Sequence, residues 1–177
     1  DPAYPPLILT AVFDSFEVSA KLSSCMMGQP GRPEVTMDEI RTGGCLCGAV
    51  RYRVRGAVRG VVYCHCSQCR RQTGHFYAAT NVADERLEVE GADNLTWYAA
   101  SDFAKRGFCT RCGSALFWKR SGAPVTSILA GSLDQPSGLA GEAHIFVTEK
   151  GDYYEIDDGL PRFSRSKPDV PVAEDAG

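Results

Sequence analysis

Gly44-Cys45-Leu46-Cys47-Gly48, Cys64-His65-Cys66-Ser67-Gln68-Cys69 and Cys109-Thr110-Arg111-Cys112-Gly113 are the stretches on which the reading of this chain turns. They gather seven of its eight cysteines into three tight groups. Two cysteines separated by one or two residues can grip one metal ion as a chelate, and sulfur is a favoured donor to zinc, which takes four ligands in a tetrahedron. A CxC in extended backbone puts both sulfurs on one side, because strand side chains repeat every second residue. A CxxC forms a tight knuckle whose backbone N–H groups can point at the sulfurs. Disulfides fit this pattern poorly, since a bridge between residues two apart is strained and secreted scaffolds spread their cysteines to staple distant loops. The groups therefore read as reduced thiolates holding metal in a cytoplasmic protein. Zinc is favoured, with iron–sulfur ligation as the alternative. Cys25 lies outside the groups and reads as a small apolar residue with no ligand role.

The number seven carries the functional expectation. Cys64, Cys66 and Cys69 can all reach one ion from a single short loop. The CxC and the CxxC then combine as a closed four-sulfur site of structural kind. A three-sulfur site keeps one position for water, a protein ligand or a substrate thiol, which is the pattern of a zinc site that does chemistry. His65 and His75 are the histidines within reach of that position. His65 falls between two ligands and should point away from them in an extended loop, His75 lies six residues past Cys69 and could fold back, and both read more readily as ordinary exposed or hydrogen-bonded histidines. A zinc ion on three thiolates is a poor source of hydroxide but can bind and deprotonate a thiol. That suits addition of a thiol to an aldehyde, or the reverse carbon–sulfur cleavage, better than peptide or phosphate hydrolysis.

Composition excludes some other roles. The chain has 177 residues, 44% of them hydrophobic and 23% charged, with a net charge of −3 and a pI near 5.6. Nothing here draws the protein to nucleic acid or to an anionic membrane. No apolar run approaches the roughly 20 residues that span a bilayer, and the short apolar run at 5–13 lacks the basic start of a secretory signal. Arg51, Arg53 and Arg55 alternate with apolar residues and read as the solvated face of a strand, with Arg59 nearby. Residues 1–36 hold five of the ten prolines and are expected to form a flexible N-terminal extension, with Met37 standing where a natural start could lie. Residues 37–163 read as the zinc-binding β domain, and the polar residues 164–177 as a disordered tail. Short apolar or alternating runs predict strands over 49–54, 60–63, 76–82, 87–90, 95–98, 104–108, 115–118, 127–130 and 143–147. Helical turns are expected only over 67–73 and 152–156. The fold class predicted is a mainly β, antiparallel domain with few helical turns.

These motifs, taken in order, resemble the family of glutathione-dependent formaldehyde-activating enzymes and centromere protein V. The resemblance runs through Gly43-Gly44-Cys45-Leu46-Cys47-Gly48-Ala49-Val50-Arg51-Tyr52, the Cys64 to Arg70 stretch with Thr73-Gly74, Ser101, Arg106 and Phe108 to Ser114. It continues through Ala130-Gly131-Ser132-Leu133-Asp134, His144-Ile145-Phe146 and Asp158 to Phe163. It covers roughly Thr42 to Phe163. The resemblance implies an Mss4-like antiparallel β-sandwich organised around zinc. It implies a structural zinc on Cys45, Cys47, Cys109 and Cys112, and a catalytic zinc on Cys64, Cys66 and Cys69. It also implies a carbon–sulfur lyase activity that forms or cleaves S-hydroxymethylglutathione, with glutathione and an aldehyde as partners. Tyr153 stands where the family pattern carries a tryptophan. Ser67, Gln68, Arg70 and Arg71 are loose candidates for orienting an anionic substrate. A non-catalytic zinc-binding interaction module is the second reading, and a thiol or metal sensor a weaker third.

Overall fold

Residues 39–168 are described by a computed structural model. The expectations for residues 1–36, for Cys25 and for residues 169–177 lie outside them. Ten strands and one α-helix occur among the described residues. In chain order they are β1 (Ile40–Gly44), β2 (Arg51–Arg55), β3 (Val61–Cys64), α1 (Ser67–Thr73), β4 (Tyr77–Ala83), β5 (Leu87–Glu90), β6 (Leu95–Ser101), β7 (Ala104–Cys109), β8 (Ala115–Arg120), β9 (Val125–Leu129) and β10 (Gly141–Ile145).

The strands form two sheets, β1-β2-β5 and β10-β3-β4-β9-β8-β7-β6. The small sheet shows why its residues are strands. In β2 the inward Tyr52 and Val54 are buried while Arg55 is exposed. Arg53 lies opposite Glu88 of β5, and Glu88 also takes a hydrogen bond from Arg55 at 3.0 Å. Alternation thus buries one face and pairs opposite charges on the other. The core lies between the sheets, where Val50, Tyr52 and Val54 meet Val82, Leu116, Phe117 and Ile128. The Tyr52 and Phe117 rings meet edge-on, 5.4 Å apart. Burying each large side chain contributes about 1.5–3 kcal/mol.

The mainly β fold is as expected, and the differences are local. β10 runs parallel to β3, so the large sheet is mixed rather than wholly antiparallel. Alternation marks a strand but not its direction, which depends on the route the chain takes back to the sheet. β10 also begins and ends two residues earlier than predicted, because Val147–Glu149 turns into a 3-10 helix. The helical turn expected over 152–156 is irregular chain with a single turn. There Tyr153 and Tyr154 are committed to ring contacts with His75. Arg59 stands apart from the exposed arginine face. It is partly buried and donates to the Ala79 carbonyl at 3.3 Å. Ser164, Arg165 and Lys167, at the start of the expected tail, make contacts with the β domain. The Arg165 carbonyl accepts from Phe146 N–H at 3.2 Å, the Ser164 carbonyl from the Thr148 hydroxyl at 3.3 Å, and Lys167 pairs with Glu142 at 2.6 Å. Among the described residues no helix is long and apolar enough to cross a membrane.

Candidate metal centre

Four cysteines meet where two hairpins end. The loop 45–50 joins β1 to β2, and the loop 110–114, which follows Cys109 at the end of β7, joins β7 to β8. Both loops close in the same way, Cys45 N–H to the Val50 carbonyl and Cys109 N–H to the Ser114 carbonyl, each 3.0 Å. Gly48 and Gly113 both turn the chain at φ 74°, a left-handed conformation that glycine adopts without steric cost. The sulfurs of Cys45, Cys47, Cys109 and Cys112 all lie within 4.8 Å of one another. Cys45 and Cys109 are buried in the core while Cys47 is exposed, so the group sits at the edge of the core. Val50 N–H donates to the Cys45 sulfur at 3.2 Å. Ser114 bridges the two loops, since its oxygen accepts from Leu46 N–H at 3.0 Å and lies 3.3 Å from the Cys112 sulfur. The Ser114 hydroxyl, and then its backbone N–H, pull the Cys112 thiol down to about 5.

The other three cysteines meet at the junction of β3 and α1. Cys64 ends β3, Cys66 caps α1 and Cys69 lies in its first turn. Their sulfurs again lie within 4.8 Å of one another. The helix is only seven residues long, too short to persist alone. It is held by the Cys66 sulfur, which accepts from Cys69 N–H at 3.5 Å, and by Gly74, whose N–H reaches the Arg70 carbonyl. Hydrogen bonds from the Cys64 and Cys69 thiols hold Cys66 down to about 2. Its bonds to Cys66 and Cys69, with burial, push Cys64 up. A cation bound by these three sulfurs would displace the thiol protons.

His65 points away from the sulfurs, as the alternation implies. It is fully buried, with Nδ1 at 2.5 Å from the Tyr154 hydroxyl and Nε2 at 2.8 Å from Nδ1 of His144. His144 Nε2 lies 2.8 Å from the Asp158 carboxylate. Burial, reinforced by His144, holds His65 down to about 4. With both rings neutral and the Asp158 carboxylate ionised, the bonds run in one direction: the Tyr154 O–H donates to His65, His65 to His144, and His144 to Asp158. The two histidines of this network are buried, and its bonds hold the residue between Cys64 and Cys66. His75 packs against the rings of Phe76 and Tyr154 instead. Neither histidine belongs to the sulfur groups.

The residue whose role the sequence did not reveal is Arg106. It lies on β7 with 5% exposure and donates to the Cys69 sulfur at 3.5 Å. It shares the inward parity of Ala104, and a basic residue on a buried strand face was the available signal. Of the looser candidates, Gln68 contacts Arg106 at 3.5 Å. Ser67 N–H is taken by Glu149 at 2.9 Å. Arg71 is exposed, and Arg70 has its Nε buried without a partner among the described residues. A cleft of about 540 Å³ extends from Cys45 and Ser114 past Leu129 to Gln72 and Thr73, with Arg51 and Asp134 also on its wall.

Residues 40–149 match the family model described as glutathione-dependent formaldehyde-activating enzyme. A Halomonas elongata protein that carries the same activity in its provisional name is 32% identical over 149 residues, 75% of this chain and 91% of that protein. An uncharacterised lyase of Schizosaccharomyces pombe is 27% identical over 115 residues, 64% of this chain and 83% of its own. A crystal structure of a Rhodobacter sphaeroides protein is 25% identical, with a TM-score of 0.46 over 69% of this chain and 98% of that one. With a family model over more than half its length and a relative spanning three quarters of it, this chain belongs to the glutathione-dependent formaldehyde-activating enzyme family.

Proposed function

We propose that the protein is a zinc-dependent carbon–sulfur lyase that makes or breaks the S-hydroxymethyl adduct of a small thiol, glutathione with formaldehyde being the model pair. The observation that carries this reading is the contrast between the two sulfur groups. Cys45, Cys47, Cys109 and Cys112 bring four sulfurs within 4.8 Å of one another, the number a closed tetrahedral site would need. Cys64, Cys66 and Cys69 supply three, and among the described residues no histidine or carboxylate joins them. Both donor sets are all sulfur and compact enough for one ion each, which suits zinc.

In this reading the four-sulfur group is structural and the three-sulfur group catalytic. Zinc on the latter would supply a position where a thiol is held as thiolate, the form that attacks a carbonyl carbon. The chain does the rest. The cap of α1 and the His65 network keep the three sulfurs in place. The Arg106 guanidinium lies against the negative charge they carry. Gln72, which accepts from Arg106, also lines the cleft that runs toward Arg51 and Asp134. Such a site needs reduced cysteines, which fits a cytoplasmic setting.

Zinc content and turnover test this reading together. Wild type should carry two zinc ions per chain and Cys66→Ser one. Adduct formation from glutathione and formaldehyde, followed by exchange NMR, should be accelerated by wild type and not by the variant. Two tightly held ions with no response to any thiol would instead identify a non-catalytic interaction module.

A further inference from the structure

Arg106 is buried without a carboxylate partner. Among the described residues no acidic side chain lies within ion-pair distance of it. Its Nη1 donates to the Gln72 amide oxygen at 2.7 Å, and its Nη2 lies 3.5 Å from both the Gln68 oxygen and the Cys69 sulfur. Its guanidinium carbon stands 5.5 Å from the centre of the Tyr77 ring. Two neutral amides, a ring face and a sulfur make up these surroundings. A buried cation is retained only where a counter-charge balances it, and of these neighbours only the sulfur can carry one.

The arrangement is specific in its chemistry. Gln68 and Gln72 are four residues apart on α1 and turn their oxygens to the same guanidinium. Gln68 is oriented by its own amide, which donates to the Ala100 carbonyl at 3.4 Å. The planar fork of arginine can serve these acceptors and the sulfur at once. Three thiolates around a divalent cation carry a net charge of about −1, and a fourth thiolate makes it about −2. In a low-dielectric site that excess is costly unless a fixed positive charge lies beside it.

We propose that Arg106 is a positioning residue that balances the charge of the three-sulfur site, so that the site retains its divalent cation and accepts an anionic sulfur as fourth ligand. This rests on the metal reading given under Proposed function. The competing role is purely mechanical, in which Arg106 only docks α1 against β7 through the two glutamines.

The test uses the full chain loaded with cobalt(II), whose sulfur charge-transfer bands report each site. Cobalt is withdrawn by a competing chelator, and 2-mercaptoethanol is titrated as the probe thiol. The four-sulfur site serves as internal control for folding. Arg106→Gln should release cobalt from the three-sulfur site about 10–100-fold more readily, as losses beside metal ligands commonly do, and should weaken the thiol-induced spectral shift. Arg106→Lys, which keeps the charge and loses the fork, should recover most of both. Arg106→Gln behaving as wild type would overturn the proposal. So would Arg106→Lys failing as badly as Arg106→Gln, since docking would then be the whole role. A wild type that binds one cobalt ion only would overturn the metal reading itself and the proposal with it.

Discussion

Ser114 shows how much one hydroxyl can do at the residue scale. It receives the Leu46 N–H from one cysteine loop and bonds the Cys112 sulfur of the other. Ser114→Ala should make zinc leave the four-sulfur site about 10-fold faster under chelator competition, because the neighbours that orient metal ligands commonly contribute at that level. The cysteines themselves were legible, since CxC and CxxC spacings are local and a chelate needs nothing else from the sequence. The outward direction of His65 was legible too, from alternation alone. Its partners were not. Tyr154 is 89 residues away and His144 is 79 away, and only folding brings them to it. Arg106 was hidden for the same reason, its sulfur partner being 37 residues distant.

At the scale of elements, β2 and β5 could be read from their alternation, and α1 coincides with the helical turn expected over 67–73. The parallel pairing of β10 with β3 could not, because register and direction depend on chain route. The segment expected as a helical turn over 152–156 instead places Tyr153 and Tyr154 in a ring cluster with His75. The segment after β9 is tied to the small sheet by Asp134, which accepts from Thr42 of β1 at 2.6 Å and pairs with Arg51 of β2 at 2.5 Å. The Arg51 guanidinium, and then the Thr42 hydroxyl, hold the Asp134 carboxyl below the usual carboxylate range. A lowered acid contributes stability above its unfolded pKa of about 4 and loses it as pH falls through the folded value. Asp134→Asn should therefore lower the melting temperature slightly at pH 7, the pair being half exposed. The gap from wild type should close in melts run at progressively lower pH below about 4.

For the molecule as a whole, the core between the two sheets is where truncation costs most. Phe117 is 1% exposed and touches Tyr52 across the sheets. Phe117→Ala should cost about 3–5 kcal/mol in denaturant unfolding. An ion on the four-sulfur group would be a further tie between the sheets, since one cysteine loop grows from the three-stranded sheet and the other from the seven-stranded sheet. Cys47 and Cys109 are 62 residues apart, so an ion there closes a long loop and removes configurational freedom from the unfolded chain. The metal would then decide whether the domain opens as one cooperative unit or in two stages. With the ion, amide protons of β1, β2 and β5 should exchange with solvent at the rate of the large sheet. Stripped of it, those three strands should exchange first, as a separable unit of low stability.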